Sequence, residues 1–325
     1  MLLLTLINCP KIITKLEKLV KTINMLITPQ FTAVKLAKFI NLDVPLYIKR
    51  EDEHPLGSHK GRSIPLMIEK HSENKCNNFV ISSSGNAALA AIKTIQKINK
   101  TRTTNKMTLK VFVGEKINIK KYELLKKNIK DPNVQIEKVY NPKQTAFKLD
   151  KEGEVKFLRQ STSNIALLGY ESLAKELSEI KNLSAVFVPT SSGTTAEGLY
   201  DAFQKIGINP QIHIVQTDYC YPISQIFDPE NVLINKERMP KFSLASAIVD
   251  IVAHRKINLV EKIKKSHGFG WIASDNEISK VIKLVKETTN LEISPNSALS
   301  VVGLIKAKEV DWNFDGPVVC IFTGK

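Results

Sequence analysis

The chain has 325 residues, enough for one large or two medium domains with cores of their own, and its 43% apolar content describes a water-soluble globular protein. Lysine and arginine number 47 against 32 aspartate and glutamate, a formal charge of +15. The lysines fall singly or in pairs with carboxylates between them ("KKYELLKKNIK", "EKIKKSHG"), as on solvated helix faces, and no nucleic-acid motif accompanies them, so a nucleic-acid partner is not expected. No stretch approaches eighteen apolar residues, so no membrane span is expected either.

At the N-terminus "MLLLTLINC" is apolar but short and lacks a basic n-region, which argues against a signal peptide. Cys9, Cys76, Cys220 and Cys320 lie far apart, without a C-x-x-C pair or a histidine at metal-ligand spacing. Reduced thiols, a cytoplasmic location and no metal site are expected.

In chain order, the first segment that stands out is "GSHKGR", residues 57–62, where Gly57 and Gly61 flank Lys60 and permit close approach to the backbone. From about residue 78, short apolar runs alternate with helical periodicity. "NFVIS" reads as a strand, "NAALAAIKTIQKI" as a helix, "LKVFVG" as a strand, "KKYELLKKNI" as a helix and "VQIEKVY" as a strand, after which the alternation pauses. "NIALLGYESLAKELSEIK" reads as one amphipathic helix and opens a second series, with "SAVFVPT" and "QIHIVQT" as strands around the helix "TAEGLYDAFQKIG". Residues 218 to 270 are proline-bearing and less regular, and read as covering structure. "SDNEISKVIKLVKETT" begins with a capping box, Ser274 with Glu277. A further helix, "NSALSVVGLIKAKEV", leads into the buried strand of "GPVVCIFTGK". The alternation predicts an α/β fold of parallel sheets covered by helices.

Two of the loops share one design. "SSSGNAALAA" (82–91) and "PTSSGTTAEG" (189–198) each end a strand in hydroxyl residues and glycine and then open a helix, placing N–H groups where an anion can sit. Singly, such turns more often only cap their helices. Together, at the carboxyl ends of strands, they suggest a ligand with a phosphate and a second anionic group, or a phosphate cofactor with a carboxylate substrate.

"LYIKREDEHPLGSHKGR", "SSGNAALAA", "VPTSSGTTAEGLYDAF", "EISPNSALSVVGL" and "VVCIFTGK", in this order and spacing, resemble the β-family (fold type II) of pyridoxal-phosphate enzymes. That family includes threonine synthase, serine and threonine dehydratases, cysteine synthase and the tryptophan synthase β chain. "TPQFTAVKLAKF" is similar to the family's opening segment, so the resemblance runs from about residue 28 to the end. It implies two open parallel-type sheet domains with helices on both faces and the cofactor, pyridoxal 5'-phosphate, in the cleft between them. Residues 1–72 and 166–325 would form the larger, cofactor-binding domain and residues 73–165 a smaller inserted one.

By the same resemblance Lys60 is the lysine that forms the Schiff base with the cofactor and then acts as general base, a role that needs a neutral amine. Asn86 would bond the 3′ oxygen of the ring, and Ser83, Ser84 and Gly85, with Asn86, would hold the substrate carboxylate. Ser191, Ser192, Gly193, Thr194 and Thr195 stand where the family has its phosphate-binding glycine loop, here with a single glycine. Thr323 would face the pyridine nitrogen, and a hydroxyl there favours β or γ elimination and replacement.

The subfamily signals point in different directions. Threonine in "TG" is similar to threonine synthases, His59 before the lysine to the tryptophan synthase β branch, and Ala87 stands where threonine is frequent. The expected activity is threonine synthase-like conversion of O-phosphohomoserine to threonine. Serine/threonine dehydratase (ammonia-lyase) is the alternative, and a catalytically degenerate binding protein a further one. An amino acid is the small-molecule partner, a homodimer is one assembly the reading allows, and a minimal form without a regulatory domain is expected.

Among the remaining candidates, His54, His71, His213, His254 and His267 are expected in surface or satisfied polar roles, and Glu51 and Asp52 in ordering a turn. Ser294, Asn296 and Ser297 either line the cofactor pocket or cap a helix.

Overall fold

The structure, a computed structural model, describes residues 27–228 and 242–324. The N-terminal segment with Cys9, and the part of the expected cover at 229–241, lie outside the described residues. The strands are β1 (Gln30–Thr32), β2 (Leu46–Arg50), β3 (Asn78–Ser82), β4 (Thr108–Gly114), β5 (Val134–Val139), β6 (Lys156–Phe157), β7 (Ala185–Pro189), β8 (Gln211–Thr217), β9 (Gly270–Ala273) and β10 (Val318–Phe322). They form a six-stranded sheet in the order β1-β2-β10-β7-β8-β9 and a four-stranded one in the order β5-β4-β3-β6. Among the described strands β1 alone pairs antiparallel, and the other strand pairings are parallel. The chain is therefore α/β with two parallel-type sheets.

Contacts divide the chain into two compact units, residues 60–160 around the four-stranded sheet and residues 27–59 with 161–325 around the six-stranded one. The sequence boundaries of 72/73 and 165/166 differ from this division at both joints. The helix Lys60–Glu73 packs on the helix Asn86–Asn99, and Gln160 donates to the Ser63 hydroxyl, which ties both ends of the segment to the smaller unit.

In the larger unit β7 and β10 are buried along their whole length, which is why they read as unbroken apolar runs. Alternation splits their side chains between two clusters. Val318, Cys320 and Phe322 join Ile278, Leu299 and Val302 from the helices Asp275–Thr289 and Pro295–Glu309, while Val319 and Ile321 join Leu173, Leu177, Leu199 and Phe203. The Ser274–Glu277 capping box is present in both halves.

His213 on β8 is fully buried and stacks on Phe187 with ring centroids 4.4 Å apart. Its Nδ1 accepts from the Trp271 indole at 3.1 Å, so Nε2 carries the proton and donates to Gln211 Oε1 at 3.0 Å. Burial pushes its pKa down to about 3, and the ring is a neutral, satisfied member of the core. Cys76, Cys220 and Cys320 are free, and no described helix is long and apolar enough to cross a membrane.

Three elements differ from the sequence expectation. Residues 164–181 form two helices, Ile165–Leu168 and Glu171–Ser178, instead of one. Between them Tyr170 is fully buried and its ring lies where a Cβ at Gly198 would come within 2.9 Å, so tertiary packing interrupts an amphipathic pattern that would otherwise continue. The pause after β5 contains the helix Pro142–Glu152, which buries only Ala146 and so shows little apolar periodicity. Within the expected cover, a helix, Lys256–Lys265, precedes β9.

Candidate active site

In the larger unit, β2, β10 and β7 are parallel neighbours, so the segments that follow them leave the same edge of the sheet. These segments are residues 51–59, Thr323–Gly324 and Thr190–Gly193. Arg50 grips Asp52 through two hydrogen bonds of 2.8 Å, and Glu51 accepts from the Thr28 hydroxyl at 2.6 Å, so both carboxylates order the turn after β2. Gly57 takes φ +95° and the chain then forms a bridge from Ser58 to Gly324.

At His59 both available donors converge on one acceptor. The backbone N–H reaches the Thr323 carbonyl at 2.9 Å and Nδ1 reaches the same oxygen at 2.8 Å. The acceptor is a carbonyl, so the proton sits on Nδ1. Tyr170 stacks on the ring at 6.3 Å. The next carbonyl, that of Gly324, accepts from Ser297 Oγ at 3.0 Å and from Ser294 Oγ. Ser294 also caps its helix through the Ser297 N–H, and Asn296 accepts from the Ala247 N–H at 3.1 Å. With both carbonyls engaged, the Thr323 hydroxyl has no hydrogen-bond partner among the described residues, in a residue only 4% exposed.

The loop after β7 has a single left-handed position. Gly193 alone of Ser191–Thr195 has a positive φ, +92°, and a Cβ there would lie 2.6 Å from Leu259 Cδ2. The helix Thr194–Ile206 that it opens has no side-chain cap. Ser192 and Thr194 hydroxyls pair at 3.0 Å. Ser191 is differently employed, its Oγ accepting the Val249 and Asp250 N–H groups at 3.1 and 3.2 Å and so tying down the segment after residue 242. Gln216 braces the loop from beneath, donating to the Ser191 carbonyl and accepting from Ile223 and Ser224 N–H at 2.9 Å.

One turn into that helix, buried Glu197 pairs with Arg255 and Lys262, each at 3.0 Å. Burial lowers the Lys262 pKa, but hydrogen bonds to Asp201 and Glu197 outweigh it and leave the amine above its ordinary value. Asp218, just past β8, is held above the usual carboxylate range by burial and by Asp275 and Glu277. Among the described residues, no group of three or more His, Cys, Asp or Glu could hold a metal ion.

In the smaller unit Lys60 is the first residue of the helix Lys60–Glu73, not a loop residue, and is partly buried. Arg62 and Ser63 in its first turn are fully buried. After β3, Ser83 Oγ accepts the Gly85 N–H at 3.3 Å, and the helix Asn86–Asn99 opens without a side-chain cap. Open space surrounds Gly85 on the side where a Cβ would be, and the Asn86 amide has no hydrogen-bond partner among the described residues. Lys60 and Ser83–Asn86 thus belong to one unit, where their helices pack together, while Ser191–Thr195 and Thr323 belong to the other. The His59–Thr323 clamp and the Ser297 tether escaped sequence reasoning because their partners are far away in the chain.

Each unit carries, after a parallel strand, a helix start without a side-chain cap, the kind of position at which an anion such as a phosphate can be held. The chain belongs to the pyridoxal-phosphate dependent enzyme family, whose pattern it matches over residues 23–324, and its cofactor is pyridoxal phosphate. It is 23% identical to the threonine synthase of Methanocaldococcus jannaschii over 316 residues, covering 91% of this chain and 74% of that protein. It is 24% identical to the threonine synthase of Methanosarcina acetivorans over 311 residues, again 91% and 74%. The processed form of threonine deaminase isoform 2 from Solanum lycopersicum shares the fold, with a TM-score of 0.73 at 18% identity over 98% of this chain and 90% of that one.

Proposed function

We propose that the protein is a threonine synthase-like enzyme, turning O-phosphohomoserine and water into threonine and phosphate. The observation that carries the reading is the Thr323 hydroxyl, which follows β10 in a residue 4% exposed and makes no hydrogen bond among the described residues. A hydroxyl can accept or donate, so it leaves a ring nitrogen uncharged where a carboxylate would hold it protonated. The two relatives named threonine synthase support the choice within the family.

The residues fit the cofactor. The uncapped start of the Thr194–Ile206 helix and the hydroxyls of Ser192, Thr194 and Thr195 suit a phosphate, Ser191 contributing its backbone while its oxygen holds residues 249 and 250. The Asn86 amide suits the 3′ oxygen of the ring, and the Thr323 hydroxyl its nitrogen. Pyridoxal phosphate, when bound, supplies an electron-withdrawing ring that makes the Cα proton of a joined amino acid removable. Lys60 anchors the cofactor through Nζ and, once released from it, takes up and returns that proton. Ser83, Ser84 and the Gly85 and Asn86 N–H groups hold the substrate carboxylate. The phosphate leaves from Cγ, and a water oxygen is added at Cβ.

Two measurements test this. The purified protein should be yellow, and Lys60→Ala colourless. With O-phosphohomoserine it should release phosphate and form threonine in equal amounts. Release of a 2-oxo acid and ammonia from threonine or serine, without phosphate release from O-phosphohomoserine, would assign it to the ammonia-lyases instead. A protein that takes up no cofactor would be a degenerate member.

A further inference from the structure

Two successive carbonyls each accept two hydrogen bonds. The Thr323 carbonyl accepts the His59 N–H and the His59 Nδ1–H, at 2.9 and 2.8 Å, and the Gly324 carbonyl accepts the Ser297 and Ser294 hydroxyls. Four donors fix the peptide planes on the C-terminal side of Thr323, and the Ser58–Gly324 bridge fixes the strand direction. What the clamp leaves open is the Thr323 hydroxyl. The clamp itself is buried: His59 is 9% exposed, Ser297 1%, and Tyr170, fully buried, stacks on the imidazole.

We infer that His59 is a positioning residue: its two N–H donors hold the Thr323 carbonyl so that the Thr323 hydroxyl is aimed at the ring nitrogen of the cofactor. This rests on the reading of Thr323 and Lys60 given above. The imidazole is not free to serve as a proton acceptor through Nδ1, because that nitrogen already carries the proton it donates to a carbonyl. His59 is also peptide-bonded to Lys60, so the residue that anchors the cofactor is the direct chain neighbour of the clamp on its ring-nitrogen partner. A change at His59 therefore acts on the cofactor's electronic state as well as on its affinity. Asparagine can present an amide N–H near the position of Nδ1, whereas phenylalanine keeps a ring against Tyr170 and has no donor.

The test compares His59→Phe and His59→Asn with the unsubstituted holoenzyme and with Lys60→Ala. Cofactor affinity is measured by titrating pyridoxal phosphate into the apoprotein, the visible absorption band is recorded at saturation, and the thermal midpoint is measured for each apoprotein. We expect His59→Phe to bind the cofactor roughly tenfold more weakly and to show a displaced band, and His59→Asn to recover the band position. If the His59→Phe band and affinity equal those of the unsubstituted protein, or if only the thermal midpoint moves, the inference is overturned and the clamp is merely structural. A second measurement needs neither cofactor nor variant. The nitrogen chemical shifts of His59 in the apoprotein should show Nδ1 protonated, and an Nδ1 that carries no proton would overturn the clamp directly. If instead Lys60→Ala stays yellow, the proposed role of Lys60 fails, while the tautomer measurement still decides for or against the clamp.

Discussion

The two units are built alike, from parallel strands and helices, but they differ in how they meet water. Residues 60–160 hold 22 of the 47 lysines and arginines and only 9 of the 32 acidic residues, so 13 of the 15 excess positive charges lie there. Basic residues are thus both denser along that stretch and less balanced by carboxylates than elsewhere in the chain. In that unit the helices Ile119–Asn128 and Pro142–Glu152 each bury one residue, Leu125 and Ala146. In the other unit the helix Thr194–Ile206 buries most of its first three turns and Pro295–Glu309 nearly all of its apolar residues, against a sheet packed on both faces. A helix with one buried position can accept lysine almost anywhere else. A helix buried on several sides cannot.

Acid should expose the contrast most strongly. His213, neutral in the folded larger unit with its pKa pushed down to about 3, takes a proton in the unfolded chain below its ordinary value of 6.5. Its contribution is complete above about pH 6.5 and is lost as pH falls toward 3, amounting to at most about 5 kcal/mol. Urea midpoints between pH 7 and 4 should fall, and His213→Gln should flatten the slope. His71 in the smaller unit is lowered in the same direction, by burial and then by Lys156 against Asp150, but is only half buried, so His71→Gln should flatten it less.

The two anion loops provide the next comparison. Gly193→Ala forces a positive φ on a residue with a Cβ and a contact of 2.6 Å with Leu259, and should cost about 3 kcal/mol, with weakened cofactor binding. Gly85→Ala meets nothing within 4 Å and should change stability by less than about 1 kcal/mol. Denaturant titrations of the two variants would break the comparison if the costs were equal.

Buried and exposed ion pairs come last. Lys49, 1% exposed, donates to the Thr28 carbonyl at 2.9 Å and pairs with Glu176 at 2.5 Å; Lys49→Met removes the cation from a carboxylate that keeps the Thr28 N–H at 3.2 Å, and should cost about 3 kcal/mol. Lys70 and Glu73, exposed in the smaller unit and three residues apart, should contribute less than about 0.5 kcal/mol, read as the change in thermal midpoint of Lys70→Ala.

Much of the fold could be read locally. "QIHIVQT" coincides with β8, the helices around residues 86–99, 194–206 and 295–309 lie within a residue or two of their sequence limits, and the capping box at Ser274 is complete. Where an element's limits depend on a distant partner, the structure departs from the local pattern. Tyr170 splits a continuous amphipathic pattern because Gly198 receives it, and Lys60 starts a helix that belongs with residues as far along as Gln160.

The sequence by itself determined the parallel α/β architecture, the family, the cofactor and the two hydroxyl-rich loops that precede helices, because each is written in periodicity or in a contiguous motif. The tertiary structure decided which of the loop residues needs to be glycine, that the Ser191 oxygen holds the segment at 249–250, and that His59 faces Thr323. Such contacts join residues 58 or even 264 positions apart, and a pairing of that range leaves no periodic trace along the chain. It is created only when parallel strands bring their carboxyl ends to one edge of a sheet.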